Sequence, residues 1–196
     1  MSNFTSRGYF AIGAEGMSKP VNLGTLVRTA HAFGASSVFL VDAYYTVKKA
    51  MSDTSRADRQ LPIYEFPSVE EMTLPRGCQL VGVELVEDAT ALPSFRHPLN
   101  AAYVFGPERG SLSPRMLERC DHVVQIPMRF CVNLGVAGAI VMYDRLLCYG
   151  RFAPRPVRSG GPTEELAPHV HGRPVLRAEG ELPAHLRARG EPPPSR

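Results

Sequence analysis

The chain has 196 residues, of which 44% are hydrophobic and 21% charged, and its net charge is +3. That length suits one folded domain with a sizeable core, because a domain of about 150 residues buries roughly 70% of the surface of its unfolded chain. No apolar run of about 18 residues is available to span a membrane, and the N-terminus, Met1-Ser-Asn-Phe-Thr-Ser-Arg7-Gly8, lacks a secretory signal pattern. The four cysteines form no C-x-x-C pair, which argues against a zinc site and a disulfide framework and fits a reducing cytoplasm.

Along the chain, Tyr9 to Ile12 predicts a short apolar strand, followed by a Gly-containing polar loop up to Pro20. Asn22 is expected to cap a helix in which Leu23, Leu26, Val27, Ala30 and Phe33 recur at helical spacing, with Gly34 as its left-handed stop. Ser37 to Val41 predicts the next buried strand and completes a strand-helix-strand unit of right-handed crossover. Ile63 to Phe66 and Gln79 to Leu85 predict strands, with a short helix around Val69 to Met72 between them. Ala101 to Phe105 predicts another buried strand, Ser113-Pro114 a capped helix start with a first-turn proline, Val123 to Ile126 the last strand, and Val136 to Cys148 the final helix. Strands that alternate with helices and are apolar on both faces imply an α/β fold, a mostly parallel sheet flanked by helices, with its ligand at the strand C-termini. No G-x-G-x-x-G follows the first strand, which disfavours an ordinary Rossmann methyltransferase or dehydrogenase.

The composition changes after Gly150. Residues 151–196 hold nine prolines, five glycines, and eight Arg against five Glu, so this segment carries the whole +3 and residues 1–150 sum to zero. The expected organisation is a domain over 1–150 and a disordered tail over 151–196, which has too few large apolar residues to offset its ordering entropy. Such a tail is either a basic arm for RNA or an inert solvated extension. His169-Val-His171 has no further ligand pattern around it and is not read as a metal site. His31 is read as structural beside the apolar helix face, and His97 and His122 have no identifiable partner.

Three separated segments carry chemistry. In Asn22-Leu-Gly-Thr-Leu-Val-Arg28, Arg28 lies roughly 140° around the helix from Leu23, away from the apolar stripe, free to meet a ligand or water. Phe105-Gly106-Pro107-Glu108-Arg-Gly110 ends a strand in turn residues that let the backbone approach a cofactor. Glu108 is read as holding Arg28 or an RNA sugar, or as pairing with Arg109 at the surface. Ile126-Pro127-Met128 runs on to Asn133 and a small-residue helix, offering backbone groups to an adenine and a side-chain amide to the site, or a plain helix cap.

In this order the segments resemble the three signature motifs of the SpoU (TrmH-like) RNA ribose 2′-O-methyltransferases of the SPOUT superfamily, over roughly residues 8 to 149. The resemblance implies a C-terminal trefoil knot, S-adenosylmethionine as cofactor, no metal, and a homodimer with the first and last helices near the two-fold contact. It implies catalytic roles for Asn22, Arg28, Glu108 and Asn133, and cofactor binding by Gly106, Ile126, Met128, Val132, Asn133 and Leu134. The implied activity is ribose 2′-O-methylation of structured RNA, with tRNA the favoured substrate; the alternatives are rRNA or a catalytically idle RNA-binding scaffold of the same fold. Arg28 is expected to assist electrostatically, since guanidinium keeps its proton in proteins. So few residues precede the first strand that RNA is expected to be held by the dimer surface, the basic tail or both. The chain departs from the family pattern Ser-Leu-Asn-Val-Ser, carrying Cys131-Val132-Asn133-Leu134-Gly135 with both serines replaced, and the connection from Met128 to Asn133 is shorter.

Overall fold

The computed structural model describes residues 8–44, 61–150, 152–161 and 163. The chain divides into two units, Met1–Phe152 and Ala153–Arg196. The described residues of the second unit hold no helix or strand, and most of the tail, with His169 and His171, lies outside the described residues.

The described residues of the first unit hold seven strands: β1 (Tyr9–Glu15), β2 (Ser37–Val41), β3 (Ile63–Phe66), β4 (Gln79–Val83), β5 (Thr90–Ala91), β6 (Asn100–Phe105) and β7 (His122–Gln125). They form one sheet in the order β3-β2-β1-β6-β4-β7-β5, and every pairing is parallel. The helices among the described residues are α1 (Pro20–Ala32), α2 (Pro114–Arg119) and α3 (Leu134–Tyr149), and a 3₁₀ turn lies at Leu92–Ser94. Both faces of the sheet are covered, so the central strands are apolar on both sides. Along β6, Ala101, Tyr103 and Phe105 join the core beneath α1 and α3, while Ala102 and Val104 join the core on the other face with Met116 of α2.

The structure bears out the strands at Ser37–Val41 and Ile63–Phe66, lengthens β1 to Glu15 and the last helix to Leu134–Tyr149, and ends β4 at Val83. Gly34, with φ +75°, follows the helix as expected. Two expectations are corrected. Residues 69–71 form a turn, closed by Met72 N donating to Val69 O at 3.3 Å, and Pro67 before it and Pro75 after it leave little room for the turn to extend into a helix. Asn22 is not the cap of α1; Lys19 is, and Asn22 sits inside the first turn with its side chain committed elsewhere. Ser113 does cap α2: its Oγ accepts from Met116 N at 3.1 Å and donates to Glu15 Oε1 at 2.6 Å, tying the end of β1 to the start of α2.

α1 and α3 pack side by side over one face of the sheet. Their close approach is set by two glycines of α3: a Cβ at Gly135 would stand 2.6 Å from Thr25 Cγ2, and one at Gly138 would stand 2.8 Å from Leu26 Cδ1. Further along α3, a buried polar knot locks it to the loop before β6. Arg145 donates to the carbonyls of Pro98 (2.6 Å) and Leu99 (2.7 Å) and to the Tyr103 hydroxyl (3.2 Å). His97, with its side chain fully buried, bonds Tyr103 Oη through Nδ1 (2.6 Å) and Asp144 through Nε2 (2.9 Å), so the partner that the sequence did not reveal is on α3. His31 is exposed, not part of the core.

Candidate active site

The connection after β1 leads toward β2, and the one after β6 leads to β7 on the far side of the sheet, so the strand order turns round between β1 and β6. A crevice opens at the C-terminal ends of strands wherever an open parallel sheet does this. Here it is filled by side chains from three loops. α1 begins without a side-chain cap of its own, which leaves the backbone donors of its first turn in need of acceptors. Glu108, arriving from β6 past the Gly106-Pro107 turn, meets the chain just ahead of that first turn of α1, at Ser18 and Lys19, and the side chain of Asn22 within it. Its carboxylate accepts from Ser18 N (3.1 Å), Ser18 Oγ (2.9 Å), Lys19 N (3.1 Å) and Asn22 Nδ2 (2.8 Å), and a helix N-terminus favours such an anion.

Asn22, only 3% exposed, uses its other end as well: Oδ1 accepts from Asn133 Nδ2 at 2.8 Å. Asn133 in turn caps α3, its Oδ1 accepting from Gly135 N at 2.8 Å. The result is one hydrogen-bonded chain, Glu108 to Asn22 to Asn133 to the N-terminus of α3, which joins all three motifs. The chain fixes each amide, because an ionised carboxylate only accepts: Asn22 must turn its NH₂ to Glu108 and its oxygen to Asn133. Burial alone would push the Glu108 carboxyl up, but hydrogen bonds from its own backbone, Ser18 and Asn22 outweigh it and hold the group below the usual carboxylate range.

Beside this chain lies a cleft of about 270 Å³. Val83, Phe105, Ile126, Met128 and Leu134 give it apolar walls, and Glu84 and Glu108 stand on its polar edge. Gly106 is required at its rim, though not for the reason that the sequence suggests. A Cβ there would meet the chain's own loop, 2.9 Å from Leu112 N and 3.0 Å from the Ser111 carbonyl carbon. A larger cavity of about 510 Å³ lies near the opposite strand ends, lined by Tyr9, Phe39, Tyr64 and Phe66 among others, and none of the described residues that line it is charged.

Of the cofactor residues expected from the sequence, Gly106, Ile126, Met128, Val132 and Leu134 line the cleft, as does Glu108. Asn133 is a cap and a link to Asn22, not a lining residue. Glu108 holds neither Arg28 nor Arg109; its acceptors are spent on the start of α1. Arg28 is exposed on α1, outside the hydrogen-bonded chain, with no bond to another described residue. Sequence reasoning passed over Ser18 and Glu84 and met Cys131 only as a departure from the family pattern. The signal for Glu84 was present: a charged residue directly after a buried parallel strand stands where such sheets bind ligands.

A parallel sheet whose order turns round at β1 and β6, with polar side chains of three loops gathered beside an apolar cleft, defines a ligand-binding α/β domain. The sequence pattern of the SpoU rRNA Methylase family matches residues 9–143, and the chain belongs to that family. It is 28% identical over 138 residues to a Staphylococcus saprophyticus protein named as a TrmH family tRNA/rRNA methyltransferase, covering 66% of this chain and 55% of that protein. It is 26% identical over 137 residues to the mouse tRNA (guanosine(18)-2′-O)-methyltransferase TARBP1, covering 65% of this chain and 9% of the mouse protein. The chain therefore spans about half of the bacterial relative and less than a tenth of the mouse one. Among solved structures, the S-adenosylmethionine-bound rRNA methyltransferase of Sinorhizobium meliloti superposes with a TM-score of 0.65 at 21% identity, over 72% of this chain and 57% of that one. The SpoU methyltransferase AviRb of Streptomyces viridochromogenes with the same cofactor gives 0.64 at 22%, over 72% and 60%. These likenesses are of fold.

Proposed function

We propose that the chain is an S-adenosylmethionine-dependent RNA 2′-O-ribose methyltransferase acting on tRNA. The observation that carries this reading is the hydrogen-bonded chain through Glu108, Asn22 and Asn133, which unites all three motifs at the rim of the cleft. The cleft suits the cofactor in its chemistry: apolar walls for an adenine, a carboxylate edge for hydroxyl or ammonium donors, and backbone at Gly106. When bound, the cofactor supplies a methyl group already activated on a sulfonium, so the protein has to align a ribose 2′-oxygen with it and ease the loss of one proton.

Glu108 is not the base in this reading. A carboxylate held ionised by four protein donors has little appetite for a proton, so Glu108 and Asn22 position the loops. Arg28 is exposed and free to reach RNA, and its planar fork suits a phosphate or a developing alkoxide without surrendering a proton. Preorganised help of that kind contributes about 3 to 4 kcal/mol.

A homodimer is part of the proposal. Val136, Tyr143 and Leu147 are exposed and recur along one stripe of α3, and Val21 at the start of the adjacent α1 is exposed too, an apolar surface of the kind that a second copy would cover. The knot implied by the family also belongs here, as passage of the segment leading into α3 through an earlier loop. The test of the activity is mass-spectrometric mapping of ribose methylation in RNA from cells with and without the protein, joined to methyl transfer in vitro. Loss of one 2′-O-methyl from tRNA supports the reading; loss from rRNA corrects the substrate, and unchanged RNA together with no transfer overturns it.

A further inference from the structure

The cleft holds a second carboxylate whose acceptor capacity is not used up. Glu84 directly follows β4, and its side chain is fixed by two backbone donors: Leu85 N to Oε1 at 2.8 Å and Leu112 N to Oε2 at 2.7 Å. An ionised carboxylate offers about four acceptor directions, so each oxygen of Glu84 keeps one. Glu108 differs, since all four of its bonds come from the protein. Glu84 lines the cleft, and its Oε2 stands 3.3 Å from where a Cβ on Gly106 would sit, so it borders the turn at the cleft's rim. The two backbone bonds orient this carboxylate without neutralising it.

We infer that Glu84 accepts hydrogen bonds from the ribose 2′- and 3′-hydroxyls of S-adenosylmethionine, one on each carboxylate oxygen. The inference rests on the proposal that the cleft is the cofactor site. Two free acceptor directions on adjacent oxygens match a vicinal diol, which presents two donors side by side. The amino-acid end of the cofactor fits less well, because its carboxylate would bring a like charge toward Glu84 while its ammonium, on the same carbon, attracts. The adenosine half therefore lies toward β4, where Val83 adds apolar wall, and the methionine half lies away from it.

The test is calorimetric binding to the full-length protein, its Glu84→Gln variant and its Glu84→Ala variant. The ligands are S-adenosylhomocysteine, 5′-methylthioadenosine, which lacks the amino-acid end, and 2′-deoxy-5′-methylthioadenosine. Wild type is expected to bind methylthioadenosine about ten-fold more tightly than its 2′-deoxy counterpart, as loss of a charge-assisted hydrogen bond implies. Both variants should lose about ten-fold for homocysteine and methylthio ligands alike, and should discriminate the deoxy ligand by about two-fold or less. Glu84→Gln keeps size and one acceptor oxygen, enough for the bond from Leu112 N but not for both backbone donors, so thermal unfolding without ligand checks both variants for a loosened 106–112 loop. Equal affinity across the three proteins overturns the inference. So does a loss confined to S-adenosylhomocysteine, which would place the ammonium at Glu84. If wild type binds none of the three ligands, the cofactor reading itself fails.

Discussion

Arg28 and Gly106 carry opposite kinds of constraint, one on substrate and one on the chain itself. Arg28 makes no bond to another described residue, so removing its guanidinium disturbs no part of the folded core. Arg28→Ala is expected to reduce methyl transfer by about 100-fold or more, the range seen when one preorganised donor is lost, while calorimetric affinity for S-adenosylmethionine stays unchanged. Arg28→Lys should recover little, because a point charge lacks the fork. Normal turnover in Arg28→Ala would remove Arg28 from the site, and normal turnover in Arg28→Lys would show that a point charge suffices. Gly106→Val acts differently: its side chain must displace the backbone of residues 111–112 and with it the bond from Leu112 N to Glu84. Overpacking of that kind costs about 1 to 3 kcal/mol. Denaturant unfolding should register it together with a fall in cofactor affinity, and an intact affinity would put the cofactor elsewhere.

The contact between α1 and α3 explains one departure from the family pattern. Where the pattern has its second serine, this chain has Gly135, and Thr25 occupies the space that a side chain there would need. Gly135→Ser is expected to destabilise the fold by about 1 to 3 kcal/mol, and Thr25→Ala in the same chain should recover most of it. Additive losses in the double variant would show that the two positions are uncoupled. The buried His97 gives α3 a dependence on pH. Burial pushes its pKa below the ordinary value, against the pull of Asp144, while Arg145 and Arg96 lower it further. Its contribution is therefore fully present above the unfolded value of about 6.5 and is lost as pH falls toward the folded one. Unfolding free energy should decline from pH 7 to 5, and His97→Gln should flatten that slope; an unchanged slope assigns the acid sensitivity to other groups. Elements such as these were legible from the sequence where one segment decides its own form: the unbroken apolar run of Val38 to Val41, or Ser113 ahead of Pro114. The two-residue β5 was not, since Thr90 and Ala91 become a strand only by pairing with Val124 and Gln125. Nor was the link from Asn22 to Asn133, 111 residues apart, because no local pattern states which loops a sheet brings together.

For the molecule as a whole, the sheet order is what local periodicity left open: the alternation of strands and helices implied a parallel sheet, but only long-range packing places β6 between β1 and β4. The division of the chain is easier to read, because apolar residues thin out after Gly150, and Phe152 still belongs to the first unit. Phe152 lies against Gly150, where a Cβ would meet its ring at 2.1 Å, so a truncation that keeps Phe152 keeps that contact. We propose that the remaining tail, with its excess of arginine, adds RNA affinity through phosphate contacts. Such contacts release counterions, so their contribution falls as salt rises and carries no information about sequence. A chain ending at Phe152 should therefore unfold at the same denaturant midpoint and bind S-adenosylmethionine with unchanged affinity. It should bind RNA more weakly at low salt, with a shallower dependence of affinity on salt, and methylate the same nucleotide. Each arginine that contacts a phosphate should contribute about 0.7 to 0.9 to that slope, so the difference in slope between the two chains counts the contacts made. A truncated chain that matched the full one in slope would make the tail inert, and one that modified a different nucleotide would give it a part in choosing the target.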